Sequence, residues 1–168
     1  LWVNGHPVGR GPLKGTTEHY HYEAYDVAAH LRAGENVLAV EVRWFGDDAP
    51  ASEVHARKPG LLVQGPESAG LDTPEGWRVL VDRAVTPDKT PYIANADKFL
   101  NHWERVDAGA YPQGWQSPDY DDEAWPAAVN AGVADFPGFW GEAHPLRQLK
   151  PRDLPALIEA PRRFQGVV

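Results

Sequence analysis

The segment 22–42 constrains the fold of this chain more than any other part of the sequence. Asp26 is a typical N-cap, because its carboxylate can accept from the free backbone N–H groups of a short helical turn. Gly34 is placed to end that turn. Over 37–44, apolar and polar residues then alternate, which is typical of a half-buried antiparallel strand. The face predicted to be buried consists of Leu38, Val40, Val42 and Trp44.

Asn4 and Gly5 predict a tight β-hairpin near the first residue. Asn-Gly is the preferred pair for a type I′ turn, since both central positions need positive φ. The glycines at 9, 11 and 15 predict a flexible loop. Strand alternation resumes over 16–25. The first part of the chain therefore predicts short antiparallel strands joined by turns.

Two interpretations exist for His19, His21 and Glu23, which share one face of the strand over 16–25. They resemble a two-His-one-carboxylate metal set. Same-face neighbours on a strand stand about 7 Å apart, however, so they cannot close on one ion without ligands from other elements. We prefer a solvated strand face.

The middle of the chain gives weaker patterns. Short strands are predicted over 60–65 and 77–82, and the proline-rich stretch 87–91 is a candidate boundary. Spacing of three and four residues between apolar side chains predicts a short helix that carries Phe99, Trp103 and Val106.

The last third contains a turn and a connector. Asp121 or Asp122 is placed to cap a single turn that buries Trp125. The run 150–161 holds too many prolines for a helix and predicts an extended connector. The chain then divides into a β-sandwich over 1–90, the remainder of that sandwich or the start of a second over 91–145, and a Pro-rich connector to a following domain over 146–168.

Charge and composition exclude several classes of function. The chain has 16 Lys and Arg against 24 Asp and Glu, a net charge of −8. Phosphate backbones repel such a chain, so we expect no nucleic-acid partner. An anionic membrane surface is not an expected partner for the same reason, and no apolar run approaches the roughly 20 residues that span a bilayer. There is no Cys, which excludes disulfides and thiolate metal sites.

Aromatic and acidic side chains are the remaining candidates for a site. Exposed aromatic rings can stack on a pyranose, and the candidates lie near predicted loops: Trp44, Trp103, Trp115 and Trp140. Loop carboxylates suit Ca²⁺, and the candidates are Asp119, Asp121 and Asp122. Calcium is the one cofactor considered. No pair of acids stands out for glycoside hydrolysis, so no catalytic residue is predicted.

Several motifs together resemble the N-terminal, galactose-binding-like β-sandwich of bacterial α-L-rhamnosidases, glycoside hydrolase family 78. The motifs run in the family's order and cover nearly the whole chain: 1–12 (LWVNGHPVGRGP), 25–27 (YDV), 31–40 (LRAGENVLAV), 45–46 (FG), 73–77 (TPEGW), 106–108 (VDA), 114–115 (GW), 121–128 (DDEAWPAA) and 151–157 (PRDLPAL). A further strand that precedes the hairpin in the family is missing, which is consistent with a truncated start.

This resemblance implies an all-β antiparallel jelly-roll sandwich with short helical turns. It also implies a noncatalytic accessory module, because the family's catalytic acids lie in a separate domain. The implied partner is that catalytic domain of a parent glycosidase. The alternative is an autonomous, calcium-dependent module that binds rhamnose- or galactose-containing carbohydrate. The implied source is bacterial, with cytoplasmic and secreted locations both open.

Overall fold

The computed structural model describes the chain in several stretches: residues 1–13, 15, 19–44, 58–88, 103–132, 135–137, 143–145, 149–156, 158 and 160. All of the regular structure in these stretches is β-strand or short 3₁₀-helix, so the fold is all-β. Within them, no helix is long and apolar enough to cross a bilayer.

A three-stranded antiparallel sheet lies at the start of the chain. Strand β1 (Trp2–Val3) pairs with β2 (His6–Pro7) on one side and with β4 (Leu38–Ala39) on the other. Val3 is 1% exposed and Ala39 6% exposed. These two small side chains form the buried centre of the sheet, with Trp2 opposite Ala39 in the register.

The predicted type I′ hairpin is confirmed, and its asparagine does more than turn the chain. Asn4 has φ 50° and Gly5 has φ 80°. The Asn4 side chain donates to the carbonyl of His30 (2.8 Å) and to Oδ1 of Asn36 (2.8 Å), and it accepts from the amide of Val37 (2.9 Å). We call these contacts the Asn4 network. They tie the hairpin to the start of β4.

The turn that Asp26 is predicted to cap is also confirmed, and it follows strand β3 (Tyr20–Tyr22). The backbone amide of Ala28 donates to Oδ1 of Asp26 (3.0 Å), at the start of a 3₁₀-helix over Ala28–His30. The 3₁₀-helix ends at its C-cap Leu31 rather than at Gly34 as predicted; Gly34, with φ 84°, lies in the bend that follows. Local sequence chemistry was sufficient here, since every partner lies within a few residues.

Strand β4 is shorter than predicted, and its burial differs from the expected alternation. The regular ladder covers Leu38–Ala39 only. Val42 is 45% exposed and Trp44 41% exposed, whereas Ala39 is buried. The prediction that Val42 and Trp44 lie on the buried face is therefore wrong. The close approach of β1 selects the small alanine side chain for the interior instead.

The helix predicted to include Trp103 and Val106 is wrong for the described part of that segment. Residues Trp103–Val106 form strand β6, which pairs antiparallel with β5 (Val85–Asp88). Cross-strand pairing overrides the helical spacing, as tertiary context often does. Ala84, 2% exposed, lies just before β5 and adds to the core. Phe99 falls outside the described residues.

The segments over 60–65 and 77–82 pair with other parts of the chain without forming regular strands. The predicted strand over 77–82 makes one antiparallel bridge, between Arg78 and Ala127. In the stretch over 60–65, Val63 accepts from the amide of Thr73 without forming a regular strand. A separate hairpin pairs β7 (Asp135–Pro137) with β8 (Ala143–Pro145).

The predicted turn around Trp125 is confirmed. The amide of Glu123 donates to Oδ1 of Asp121 (3.0 Å), and the amide of Trp125 donates to the carbonyl of Asp122 (2.9 Å). The half-buried Trp125 ring packs edge-on against Tyr120 with centroids 5.6 Å apart. Asp121 therefore caps the turn, and the turn places the indole inward.

The last pairing joins two segments that are far apart in the sequence. Strand β3 (Tyr20–Tyr22) pairs in parallel with β9 (Leu149–Pro151). The predicted connector thus begins inside a two-stranded sheet rather than after the last strand. This parallel pair is the exception among the antiparallel sheets that the structure describes.

Candidate functional site

Four charged or titratable side chains gather where β3 meets β9. His21 and Glu23 come from β3 and the residue after its end, and Arg152 and Asp153 follow β9 directly. We call them the β3–β9 cluster. Parallel pairing of Tyr22 with Pro151 sets their register. Residues 129 positions apart in the sequence therefore meet at one point.

Glu23 and Arg152 form a well-shielded ion pair. Nε of Arg152 donates to Oε2 of Glu23 at 2.7 Å. The side chain of Arg152 is 20% exposed and that of Glu23 is 12% exposed. The other carboxylate oxygen, Oε1, accepts from the backbone amide of Leu13 (2.7 Å). Both oxygens of Glu23 therefore have a donor.

These contacts set the charge state of the pair. Burial acts to raise the pKa of Glu23, but the hydrogen bonds from Arg152 and Leu13, with the nearby positive charge, hold that pKa below its ordinary value. The pKa of Arg152 is raised, chiefly by its hydrogen bond to Glu23. Burial and the charge of Glu23 raise the pKa of Tyr25. The pair is therefore fully ionised near neutral pH.

His21 adds a second, looser contact between the two segments. Its Nε2 lies 4.0 Å from Oδ1 of Asp153, and its side chain is 12% exposed. Its Nδ1 is buried and has no hydrogen-bond partner in the described structure. His19 is exposed, as predicted. The prediction of a solvated face is wrong for His21 and Glu23, because β9 and the loop that carries Gly9, Gly11 and Gly15, called here the glycine loop, cover both side chains.

The glycines at 9 and 11 serve close packing over β3. A Cβ at Gly9 would overlap the ring of Tyr25, and a Cβ at Gly11 would overlap the side chain of Glu23. A Cβ at Gly15 would lie 3.0 Å from Nδ1 of His21. The loop thus lies directly on the cluster, and absence of side chains lets it approach. The sequence predicts a flexible loop here. The structure shows that glycine is needed at these positions because a larger residue would overlap the neighbouring side chains.

The ion pair predicts a specific loss of stability in acid. A folded-state pKa of Glu23 below the unfolded value of about 4.3 means that its contribution is complete above that value. The contribution then disappears as the pH falls through the lowered folded-state pKa. Urea unfolding between pH 7 and pH 3 should therefore show a smaller loss for Glu23→Gln than for the unchanged chain. Equal losses would contradict the ionised pair.

The four tryptophans predicted to stack on sugars do not form one described surface. Trp44 is 41% exposed. Trp115 is half-buried: its ring packs edge-on against Trp2 at 5.3 Å, and its Nε1 donates to the hydroxyl of Tyr111 (3.1 Å). Trp103 lies in β6, and Trp140 lies outside the described residues. Of the two side chains whose exposure the structure describes, Trp44 is exposed and Trp115 is half-buried.

The three predicted calcium ligands lie at two consecutive turns, one closed by the Tyr120 amide on the Ser117 carbonyl and the next by the Trp125 amide on the Asp122 carbonyl. Asp121 accepts from Glu123 through Oδ1, Oδ1 of Asp122 lies 3.8 Å from Nε of Arg78, and Asp119 is exposed. Across the described stretches, no group of three or more His, Asp or Glu side chains converges as metal ligands do. Calcium binding by these three residues stays a prediction.

One shallow cavity of about 230 Å³ lies on the loop that follows the stretch over 60–65. Its lining residues are Pro66, Glu67, Gly70, Asp72 and Glu75. Asp72 also accepts from the amide of Gly65 (2.9 Å). Carboxylate oxygens in a concave surface suit hydroxyl donors. The sequence did not single out this loop.

The sequence also missed the pairing of Glu23 with Arg152. In the sequence, Arg152 belongs to the motif over 151–157 and Glu23 to a predicted strand face, and no pattern relates the two. No local sequence pattern identifies the residue with which Arg152 pairs. The pairing depends on the parallel register of β3 and β9.

The comparisons with known proteins give one relative. Over 149 residues the chain is 30% identical to an α-L-rhamnosidase of Streptomyces avermitilis, an alignment that covers 80% of this chain and 13% of the relative. No protein-family model matches the chain. No solved structure matches it. The chain is therefore related to an α-L-rhamnosidase, a glycoside hydrolase, and spans 13% of the length of that relative.

Proposed function

We propose that this chain is a noncatalytic β-sandwich module of a rhamnosidase-like glycoside hydrolase and that it supports the catalytic domain of its parent protein. The proposed architecture is the galactose-binding-like jelly roll of the N-terminal part of family 78 enzymes. The single observation that carries the proposal is the alignment: most of this chain corresponds to a small part of a much longer hydrolase.

An exposed apolar segment supports the packing role. Val79, Leu80 and Val81 follow one another and are 47%, 42% and 75% exposed. Successive side chains of an extended segment point to opposite faces, so apolar groups are exposed on both. A strand that is apolar on both faces is typical of one covered on both sides. A neighbouring domain is the cover that we propose.

Carbohydrate binding is the second candidate function. Two observations favour it: the exposed indole of Trp44 and the cavity over 66–75, whose lining residues include Glu67, Asp72 and Glu75. An aromatic face can pack on the apolar C–H groups of a sugar ring. Carboxylates accept from its hydroxyls. This candidate differs from the first by requiring saturable binding to the isolated chain.

One experiment separates the candidates. The 168-residue chain is titrated with L-rhamnose and D-galactose by NMR, with and without Ca²⁺, and is then assayed with an aryl α-L-rhamnoside. We expect no saturable chemical-shift change and no turnover, because a supporting module needs neither.

Two results would overturn this expectation. Saturable shifts that Trp44→Ala abolishes, while Trp125→Phe retains them, would establish the binding module. Turnover that a single Asp or Glu substitution abolishes would establish an enzyme. The supporting role is tested directly by a chimaera, in which this chain replaces the aligned region of the Streptomyces enzyme. The chimaera should recover thermal stability that a deletion of that region loses.

A further inference from the structure

We propose that the Glu23–Arg152 pair is an anchor that fixes the direction in which residues 152–156 leave strand β9. On the function proposed above, this direction sets how the module is held relative to its catalytic domain. The anchoring itself is a property of this chain and can be tested without the parent protein.

The β3–β9 ladder is too small to fix that direction alone. It is a parallel pair of two strands with three residues each. Isolated two-stranded pairs are marginally stable in water. The segment therefore needs contacts beyond the ladder in order to stay in place.

Arg152 supplies contacts on both sides of its own position. Its backbone amide donates to the carbonyl of Tyr22 (3.1 Å), which continues the ladder by one step. Its Nε donates to Glu23 (2.7 Å), and its Nη1 lies 3.4 Å from the carbonyl of Pro155. The side chain thus joins β3 to the segment that follows. A contact that reaches three residues ahead restricts the direction of that segment as well as its starting point.

The surroundings of Glu23 favour a strong pair. The described charged or titratable groups around it are Arg152 and Asp153 after β9, His21 on β3, and Tyr25 beyond β3. The glycine loop contributes the Leu13 amide and carries no side chain at Gly11. Because little of either partner is exposed, water and salt screen the pair less than they screen a surface pair.

Limited trypsin digestion of the 168-residue chain tests the anchor. Cleavage after Arg152 requires the arginine to leave Glu23 and enter the protease. In Glu23→Gln, an amide replaces the carboxylate that accepts from Arg152, and the anchor is lost. We expect the rate at which peptides beginning at Asp153 appear to rise by about tenfold, since cleavage follows the population of the locally open state.

Cleavage after Arg78 in the same digest reports opening of a part of the chain that makes no contact with the Glu23–Arg152 pair in the described structure. It should change by less than about twofold, since a local opening leaves the bridge between Arg78 and Ala127 intact. The matched control is Glu104→Gln, which removes a carboxylate from the more exposed pair with Arg43 (3.4 Å). That variant should leave cleavage after Arg152 unchanged.

Three outcomes would overturn the anchor. The first is equal cleavage after Arg152 in the unchanged chain and in Glu23→Gln. The second is an equal rise at Arg152 and Arg78, which would show loss of the fold rather than local release. The third is unchanged ¹⁵N heteronuclear NOE values for the backbone amides of residues 152–154 and 156 in Glu23→Gln. These three outcomes do not depend on sugar binding or on turnover. Failure of the anchor proposal can therefore be distinguished from failure of the proposed function.

Discussion

Asn4→Asp is expected to lower the free energy of unfolding by about 2–4 kcal/mol, because it removes two hydrogen bonds and places a negative charge against two acceptors. The amide nitrogen of Asn4 donates to the His30 carbonyl and to Oδ1 of Asn36, both at 2.8 Å. A carboxylate oxygen in that position would repel both. Asn36 cannot relieve the repulsion by turning its amide, since its nitrogen already donates to the carbonyls of Arg32 and Gly34.

The pH dependence of this variant identifies the cause. The two facing oxygens raise the pKa of the introduced carboxyl in the folded state, so the destabilisation is complete above that raised value. It should shrink as the pH falls toward the unfolded value of about 3.9, where the protonated carboxyl can donate again. Urea unfolding at pH 7 and at pH 4 measures the difference.

Asn4→Gly and Asn130→Ala serve as controls for the Asn4 network. Glycine keeps the positive φ of the turn and removes the side chain alone. Asn130 makes a single local contact, with the amide of Gly132, so its removal should cost less than about 1 kcal/mol. If Asn4→Asp were as stable as the unchanged chain at pH 7, the network would contribute nothing to the fold.

Gly9→Ala is expected to destabilise the chain by about 1–3 kcal/mol through overpacking. The added methyl group would overlap the half-buried ring of Tyr25, so the ring or the loop must shift. Thermal unfolding followed by tryptophan fluorescence measures the effect. Gly60→Ala is the matched control, since a Cβ at Gly60 meets nothing within 4 Å. That substitution should be neutral or stabilise by up to about 1 kcal/mol.

A double-mutant cycle shows whether the contact with Tyr25 is responsible. In a Tyr25→Ala background the ring is gone, and Gly9→Ala should then have little further effect. Additive losses from the two substitutions would place the steric conflict elsewhere.

The fold was predictable wherever its causes were local. Asn4-Gly5 specified the hairpin, Asp26 the 3₁₀ turn, and Asp121 the turn before Trp125. In each case the donor and acceptor lie within two residues of each other, or the turn needs one backbone conformation. Side-chain periodicity was less reliable, because neighbouring strands decide which face is covered. For this reason Trp103 lies in a strand instead of the predicted helix, and Trp44 lies at the surface instead of on the predicted buried face.

The candidate site was less predictable than the fold. Composition and loop position predict a sugar contact at Trp44 and calcium ligands at Asp119, Asp121 and Asp122. These roles remain predictions. Glu23 and Arg152 were named without a relation to each other. Their meeting depends on a parallel pairing between β3 and β9, 129 residues apart along the chain, which no local pattern encodes.

By itself, the sequence determined the all-β class, the positions of the tight turns and the resemblance to rhamnosidase sandwiches. These follow from turn chemistry and motif order, which act over a few residues. Only the tertiary structure decided that Ala39, rather than Val42, is buried, and that Glu23 receives Arg152 beneath a glycine loop. Burial and ion pairing depend on which distant segment comes close, and that is settled only when the strands pair.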